Sequence, residues 1–130
     1  MYKFDAKDAT NKCVEWVRNW FEKNGKGCNA VIGISGGKDS SIAAAICVAA
    51  LGKERVFGVL MPQGEQFDID YAFDICKFLE IDHAVINIKD AVDGVLSNIP
   101  ESVKITDQTK FNLPPRIRMA TLYAVSQSKN

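Results

Sequence analysis

The sequence carries no net charge: 16 Lys and Arg stand against 16 Asp and Glu in 130 residues. Without an excess of positive charge there is no general field to hold nucleic acid by counterion release. A dedicated duplex binder is therefore disfavoured, and nucleic acid is not an expected partner. No apolar run approaches the roughly 20 residues that cross a bilayer; the longest runs only from Ser41 to Leu51. The opening residues, Met1-Tyr-Lys-Phe-Asp-Ala-Lys-Asp8, place charges where a signal peptide needs its apolar stretch. A cytoplasmic protein without membrane association is expected. Histidine is nearly absent: His83 is the only one, with no Cys or His close by to share a metal. It is given no catalytic role. The four cysteines, Cys13, Cys28, Cys47 and Cys76, form no C-x-x-C pair and no metal-ligand spacing. They are expected to be buried small hydrophobes in a reducing compartment.

What is present alternates. Apolar residues at Ala9, Cys13, Trp16, Val17, Trp20 and Phe21 form the stripe of an amphipathic helix, stopped by Asn24-Gly25. Ala30–Ile34 is a short β-branched run that reads as a buried strand, and Ser40–Leu51 reads as a helix closed by Gly52. Arg55–Met61 is a second strand. A third helix carries Ile69, Ala72, Phe73, Cys76 and Leu79, and His83–Ile88 is a third strand. A weaker helix follows over Lys89–Ile99, then a polar stretch, Glu101–Asn112. Pro114-Pro115 is expected to open a last helix running to Gln127. Helices alternating with continuous apolar strands predict an α/β fold, a parallel sheet with helices on both faces. No repeat, low-complexity tract or linker interrupts residues 1–130, so a single domain is expected. The first three helices each lead into a strand and the last does not. The domain is therefore expected to be incomplete at its C-terminal end.

Gly33-Ile-Ser-Gly-Gly-Lys-Asp-Ser-Ser41 joins the first strand to the second helix. Gly36 and Gly37 allow positive φ and let backbone N–H groups approach a ligand. Ser35, Ser40 and Ser41 add hydroxyls, and the helix start adds unsatisfied N–H groups and a positive dipole end. Together these make an anion cradle, most simply for phosphate. It is not a Walker A loop, because Ile32 stands where the first Gly belongs and Asp39 where Ser or Thr belongs. Asp39 would repel a phosphate unless a divalent cation lay between them; the plainer alternative is that it caps the helix. Lys38 can point to phosphate or to water. Asp68 and Asp70 stand at a helix start, where the dipole favours acidic residues. Arg116 and Arg118 are two apart, about 200° around a helix, so both cannot face one ligand.

Ser35-Gly-Gly-Lys-Asp-Ser40 resembles the S-G-G-x-D-S loop of the N-type ATP pyrophosphatases, whose fold is adenine nucleotide alpha-hydrolase-like (Rossmann-like). Leu60-Met-Pro-Gln-Gly-Glu-Gln66 is similar to the loop after the second strand of ammonia-dependent NAD synthetases. Phe111-Asn-Leu-Pro-Pro-Arg-Ile-Arg-Met119 is similar to that family's N-x-x-[AP]-R-x-R-M helix.

The resemblance implies a ligase of NAD biosynthesis. ATP adenylates the nicotinate carboxylate of deamido-NAD with release of pyrophosphate, and ammonia then displaces AMP. It also implies that Gly33, Ile34, Ser35, Gly36, Gly37, Lys38, Asp39 and Ser40 cradle ATP, and that Asp39 binds Mg²⁺. Arg116 would contact deamido-NAD, with Asn112 and Arg118 as lesser candidates, in a homodimer. No side chain is an obvious general base, so no catalytic residue is assigned. The 130 residues alone are expected to be inactive, lacking the family's later Mg²⁺ and phosphate ligands. The alternatives are another N-type ATP pyrophosphatase (GMP synthetase-like or tRNA-modifying) and a nucleotide-binding module without catalysis.

Overall fold

The computed structural model describes residues 3–129. Helix α1 (Ala6–Asn24) starts at Asp5, whose carboxylate accepts the Asp8 N–H at 3.0 Å, and stops at Gly25. Strand β1 (Ala30–Gly33) leads into α2 (Lys38–Leu51), which ends at Gly52 with φ +88°. A 3-10 turn, Lys53–Arg55, precedes β2 (Val56–Leu60); then come α3 (Ile69–Phe78) and β3 (Asp82–Val85). Helices α4 (Lys89–Ser97) and α5 (Asp107–Lys129) complete the chain.

The strands form one parallel sheet in the order β1-β2-β3, with Ala30 opposite Val56 and Phe57 opposite Asp82. Strand alternation divides the core in two. Ala30, Ile34, Val56 and Leu60 pack with Ala44, Ala72 and Cys76 from α2 and α3, backed by Phe21 of α1. Val59 and Met61 point the other way, to Ile88 and Val92 and to Leu113, Ile117, Leu122 and Val125 of α5. The expected parallel sheet with helices on both faces is thus found. The end of α5 returns to the first strand, where Asn29 Nδ2 donates to the Lys129 carbonyl at 2.8 Å. No helix among the described residues is long and apolar enough to cross a membrane.

Two expectations are corrected. The last helix does not open at Pro114-Pro115; it begins at Asp107 and carries both prolines inside. Thr106 supplies the start instead, its hydroxyl accepting the Thr109 N–H at 3.2 Å. Each proline removes one helical hydrogen bond, and the apolar packing of Leu113 and Ile117 carries the helix past the gap. The cysteines are all free but not all buried. Cys13 is exposed, Cys28 and Cys47 are half-buried, and Cys76 is buried. Cys13 lines a groove between α1 and α2, shared with Trp16 and Cys47. Trp16 itself is 66% exposed, so the sequence stripe overstates what α1 buries. His83 packs edge-on against Phe73, with ring centroids 5.7 Å apart.

Candidate functional site: the turn after β1

The chain leaves β1 at Ile34, which is buried and donates its N–H to the Val59 carbonyl at 2.9 Å. It then turns sharply through Gly36, with φ +83°. A Cβ at Gly36 would stand 3.0 Å from both the Ala72 nitrogen and the Tyr71 Cβ, so the turn is pressed against α3. Gly37 is the N-cap of α2 and offers no side chain to the helix start. The first-turn N–H groups of α2, which have no helical acceptors, therefore receive no side-chain acceptor from the N-cap.

Serine hydroxyls organise this turn. Ser35 Oγ lies 3.0 Å from Ser40 Oγ and accepts the Gly37 N–H at 3.2 Å, and Ser40 Oγ accepts the Ser35 N–H at 3.2 Å. Ser41 Oγ donates to the Gly37 carbonyl at 2.8 Å. Asp39 lies within the first turn of α2, not at its cap. Its carboxylate is exposed and takes the Lys38 ammonium at 2.7 Å.

The turn opens into a cavity of about 700 Å³. Gly33, Ile34, Ser35 and Gly37 form its floor. Met61, Gln66 and Asp68, beyond the end of β2, form one wall, and α5 roofs it with Pro115, Arg118, Met119 and Leu122. Gly33 faces α5 so closely that a Cβ there would lie 3.0 Å from Met61 Cε and 3.4 Å from Leu122 Cδ1. Arg118 is half-buried, and its Nε donates to the Met61 carbonyl at 3.0 Å.

Four of the residues singled out in the sequence, Gly33, Ile34, Ser35 and Gly37, line the cavity together. Ser40 braces the turn, and Gly36 supplies its shape. Lys38 and Asp39 stand on the α2 side, outside the lining. Arg116 and Asn112 also lie outside it. Both are exposed, and Arg116 Nη1 donates to the Asn112 carbonyl at 2.9 Å. Arg116 follows the lining residue Pro115 by one helical step of about 100°. Of the two arginines, Arg118, the lesser candidate in the sequence, lines the cavity, and Arg116 does not. Asp68 sits at the N-cap of α3, yet its side chain makes no capping bond. Its place on the wall was not readable from helix-start statistics. Gln66 and Met119 lay inside the segments that carried the family resemblance, so a signal for them existed.

The donor set suits an anion: first-turn N–H groups of α2, hydroxyls and one guanidinium. For a metal, no group of three or more His, Cys, Asp or Glu occurs among the described residues. A hard cation such as Mg²⁺ needs only one or two carboxylates when substrate phosphates and water complete its shell. Asp39 fits that lesser demand once its carboxylate exchanges Lys38 for the ion.

Over residues 9–130 the sequence matches the profile of the NAD synthase family. It is 39% identical over 122 residues to an NH3-dependent NAD(+) synthetase of Methanosarcina acetivorans, covering 92% of this chain and 47% of that protein. The fold superposes on the NH3-dependent NAD synthetase from Campylobacter jejuni, solved with nitrate, with a TM-score of 0.87 and 29% identity. That match covers 98% of this chain and 55% of the other. NMN synthetase from Francisella tularensis matches with the same TM-score and 28% identity, over 98% of this chain and 52% of that one. The chain spans about half the length of the curated relatives it matches. With a parallel sheet, a serine–glycine turn after β1 and a match over residues 9–130, the chain belongs to the NAD synthase family.

Proposed function

We propose that this chain carries the ATP-binding part of a ligase that converts deamido-NAD to NAD with ammonia as nitrogen donor. The observation that carries the reading is the Ser35–Ser40 cradle opening into a cavity roofed by Arg118. The cradle would take the ATP phosphates on the N–H groups of the first turn of α2 and on the Ser35 and Ser40 hydroxyls. Gly33, without a side chain, lets Met61, and Leu122 of α5, close over the floor at one end of the cavity. The Arg118 guanidinium, fixed by the Met61 carbonyl, offers positive charge to the phosphates from the roof.

In the reaction, a carboxylate oxygen of the nicotinate ring forms a bond to the α-phosphorus of ATP, and the bond to pyrophosphate breaks. Ammonia then adds to the acyl carbon, loses a proton and expels AMP, leaving the amide. Developing charge on the phosphates must be met by fixed donors, and positioning supplies much of the rest. Asp39 would hold Mg²⁺, which when bound supplies further charge neutralisation to the leaving pyrophosphate. Arg116 and Asn112, exposed on α5 outside the cavity lining, would meet the dinucleotide at the rim of the ATP cavity. A homodimer accords with the family reading.

The equal structural likeness to NMN synthetase supports a second reading, in which the acid amidated is a mononucleotide. The two readings share the ATP half and differ in what is bound at the rim. Calorimetry decides between them: ATP should bind with Mg²⁺, and deamido-NAD should bind more tightly than nicotinate mononucleotide. The reverse preference establishes the second reading, and a chain that binds no ATP overturns both. The 130 residues alone, given ATP, Mg²⁺, ammonia and deamido-NAD, should release no pyrophosphate and form no NAD.

A further inference from the structure

We infer that Asn87 is a positioning residue for the cavity, acting through the loop between β2 and α3. Pairing between β2 and β3 continues past both strands, with Ile86 N–H donating to the Leu60 carbonyl and Ile88 N–H to the Pro62 carbonyl, each at 2.8 Å. Between these rungs the Asn87 side chain reaches out and grips Gly64 twice. Its Oδ1 accepts the Gly64 N–H at 3.0 Å, and its Nδ2 donates to the Gly64 carbonyl at 2.9 Å. The carboxamide thus copies a backbone amide and extends the ladder by one residue that the main chain does not supply.

The grip matters because of the segment just beyond Gly64. Gly64 has φ +78°, so the chain turns there. The next residues alternate: Gln66 and Asp68 line the cavity, while Phe67 between them is 99% exposed. Phe67 therefore contributes no packing to hold the segment. Its anchors are the Asn87 clamp on one side and α3 on the other. The clamp sets where Gln66 and Asp68 stand relative to the cradle, and it does so from outside the cavity.

Asn87 Oδ1 also accepts the Lys89 N–H at 3.0 Å, at the start of α4. A purely structural role as a cap for α4 is the rival explanation, and the two separate by substitution. Asn87→Asp keeps the acceptor for Lys89 and for the Gly64 N–H but turns an anionic oxygen on the Gly64 carbonyl. Asn87→Ala removes all three bonds.

The inference rests on the nucleotide reading of the cavity, and the test keeps the two apart. Binding of ATP and of inorganic pyrophosphate, each with Mg²⁺, is measured by calorimetry for the wild-type chain and both variants, beside their melting curves. Pyrophosphate needs only the cradle, whereas ATP must also pass the wall that Gln66 and Asp68 form. Both variants should weaken ATP binding about tenfold, as loss of one or two hydrogen bonds allows, and leave pyrophosphate affinity within about twofold. Equal loss of both ligands, loss in Asn87→Ala alone, or no loss in either variant overturns the positioning role while the nucleotide reading stands. A wild-type chain that binds pyrophosphate but not ATP, or neither, overturns the nucleotide reading and this one with it.

Discussion

Arg118 and Met61 are joined across the cavity mouth, the guanidinium Nε donating to the main-chain carbonyl at 3.0 Å. The bond links α5 to the end of β2 and fixes the direction of the remaining guanidinium N–H groups. It makes Arg118 a structural and an electrostatic element together, which a surface arginine is not.

Arg118→Ala should therefore lower stability by about 1–2 kcal/mol, because a half-buried carbonyl loses its charged donor. ATP affinity should fall with it. Arg116→Ala removes an exposed side chain and should change stability by less than about 0.5 kcal/mol, with ATP binding intact and dinucleotide binding weakened. Urea denaturation and calorimetry on the two variants test the contrast. Equal effects on ATP would contradict it.

Asp39→Asn should leave metal-free ATP affinity unchanged or improved, since a negative charge leaves the cradle. It should abolish most of the gain that Mg²⁺ gives. Titrations with and without Mg²⁺ check this, and an unaltered Mg²⁺ gain in the variant would remove Asp39 from the metal site.

Gly36 and Gly33 tolerate a methyl group differently. Gly36→Ala meets backbone at 3.0 Å with φ +83° and should cost about 1–3 kcal/mol. Gly33 lies in ordinary strand geometry, and its nearest neighbour is the flexible end of Met61. Gly33→Ala should cost about 1 kcal/mol or less as Met61 moves, yet narrow the cavity and weaken ATP binding. Denaturant midpoints should place Gly36→Ala below Gly33→Ala, and ATP titration of Gly33→Ala should show lost affinity with a fold close to wild type.

Glu80 ends α3 with φ +53°, the left-handed conformation that usually falls to glycine at this place. Its neighbours complete the pattern, Ile81 N–H donating to the Cys76 carbonyl and Glu80 N–H to that of Lys77, both at 3.1 Å. A hydrogen bond and then the charge of Lys53 hold the Glu80 carboxyl below its ordinary pKa, and Glu80 raises Lys53 in return. Stability from the lowered carboxyl is present above its unfolded pKa and is lost as pH falls through the folded one. That from Lys53 is present below its unfolded pKa and is lost as pH rises through the folded one. Glu80→Gln should melt lower than wild type near neutral pH, the difference vanishing in acid. Glu80→Gly should melt roughly 2–6 °C above Glu80→Gln at any pH, because it removes the backbone strain.

The fold was largely legible because its signals are local. Strand runs such as Val56–Leu60, the glycine stops at Gly25 and Gly52, and the Ser35–Ser40 turn each declare themselves within a few residues. The start of α5 was not, because Pro114-Pro115 is a strong local signal that tertiary packing overrides through Leu113 and Ile117. The cavity walls were legible only in part. That Gly33 meets Met61 and Leu122, and that Asn87 holds Gly64, are relations between distant residues that no local pattern encodes. The exposure of Cys13 was hidden for a related reason: an apolar stripe on α1 shows a face, not how much of it another helix covers.

The return of α5 across the sheet gives the protein a particular kinetic character. The floor of the cavity is sequence-local, but its roof is reached through contacts such as Arg118 to Met61, 57 residues apart, and Asn29 to Lys129, 100 residues apart. Closing such long loops costs chain entropy, so these contacts are entropically slow to form. A ligand bridging floor and roof would strengthen these long-range contacts, and stabilisation of contacts formed late in folding appears in the unfolding rate. Bound ligand should act as a brake on the detachment of α5, lengthening the life of the native state while leaving the speed of folding unchanged.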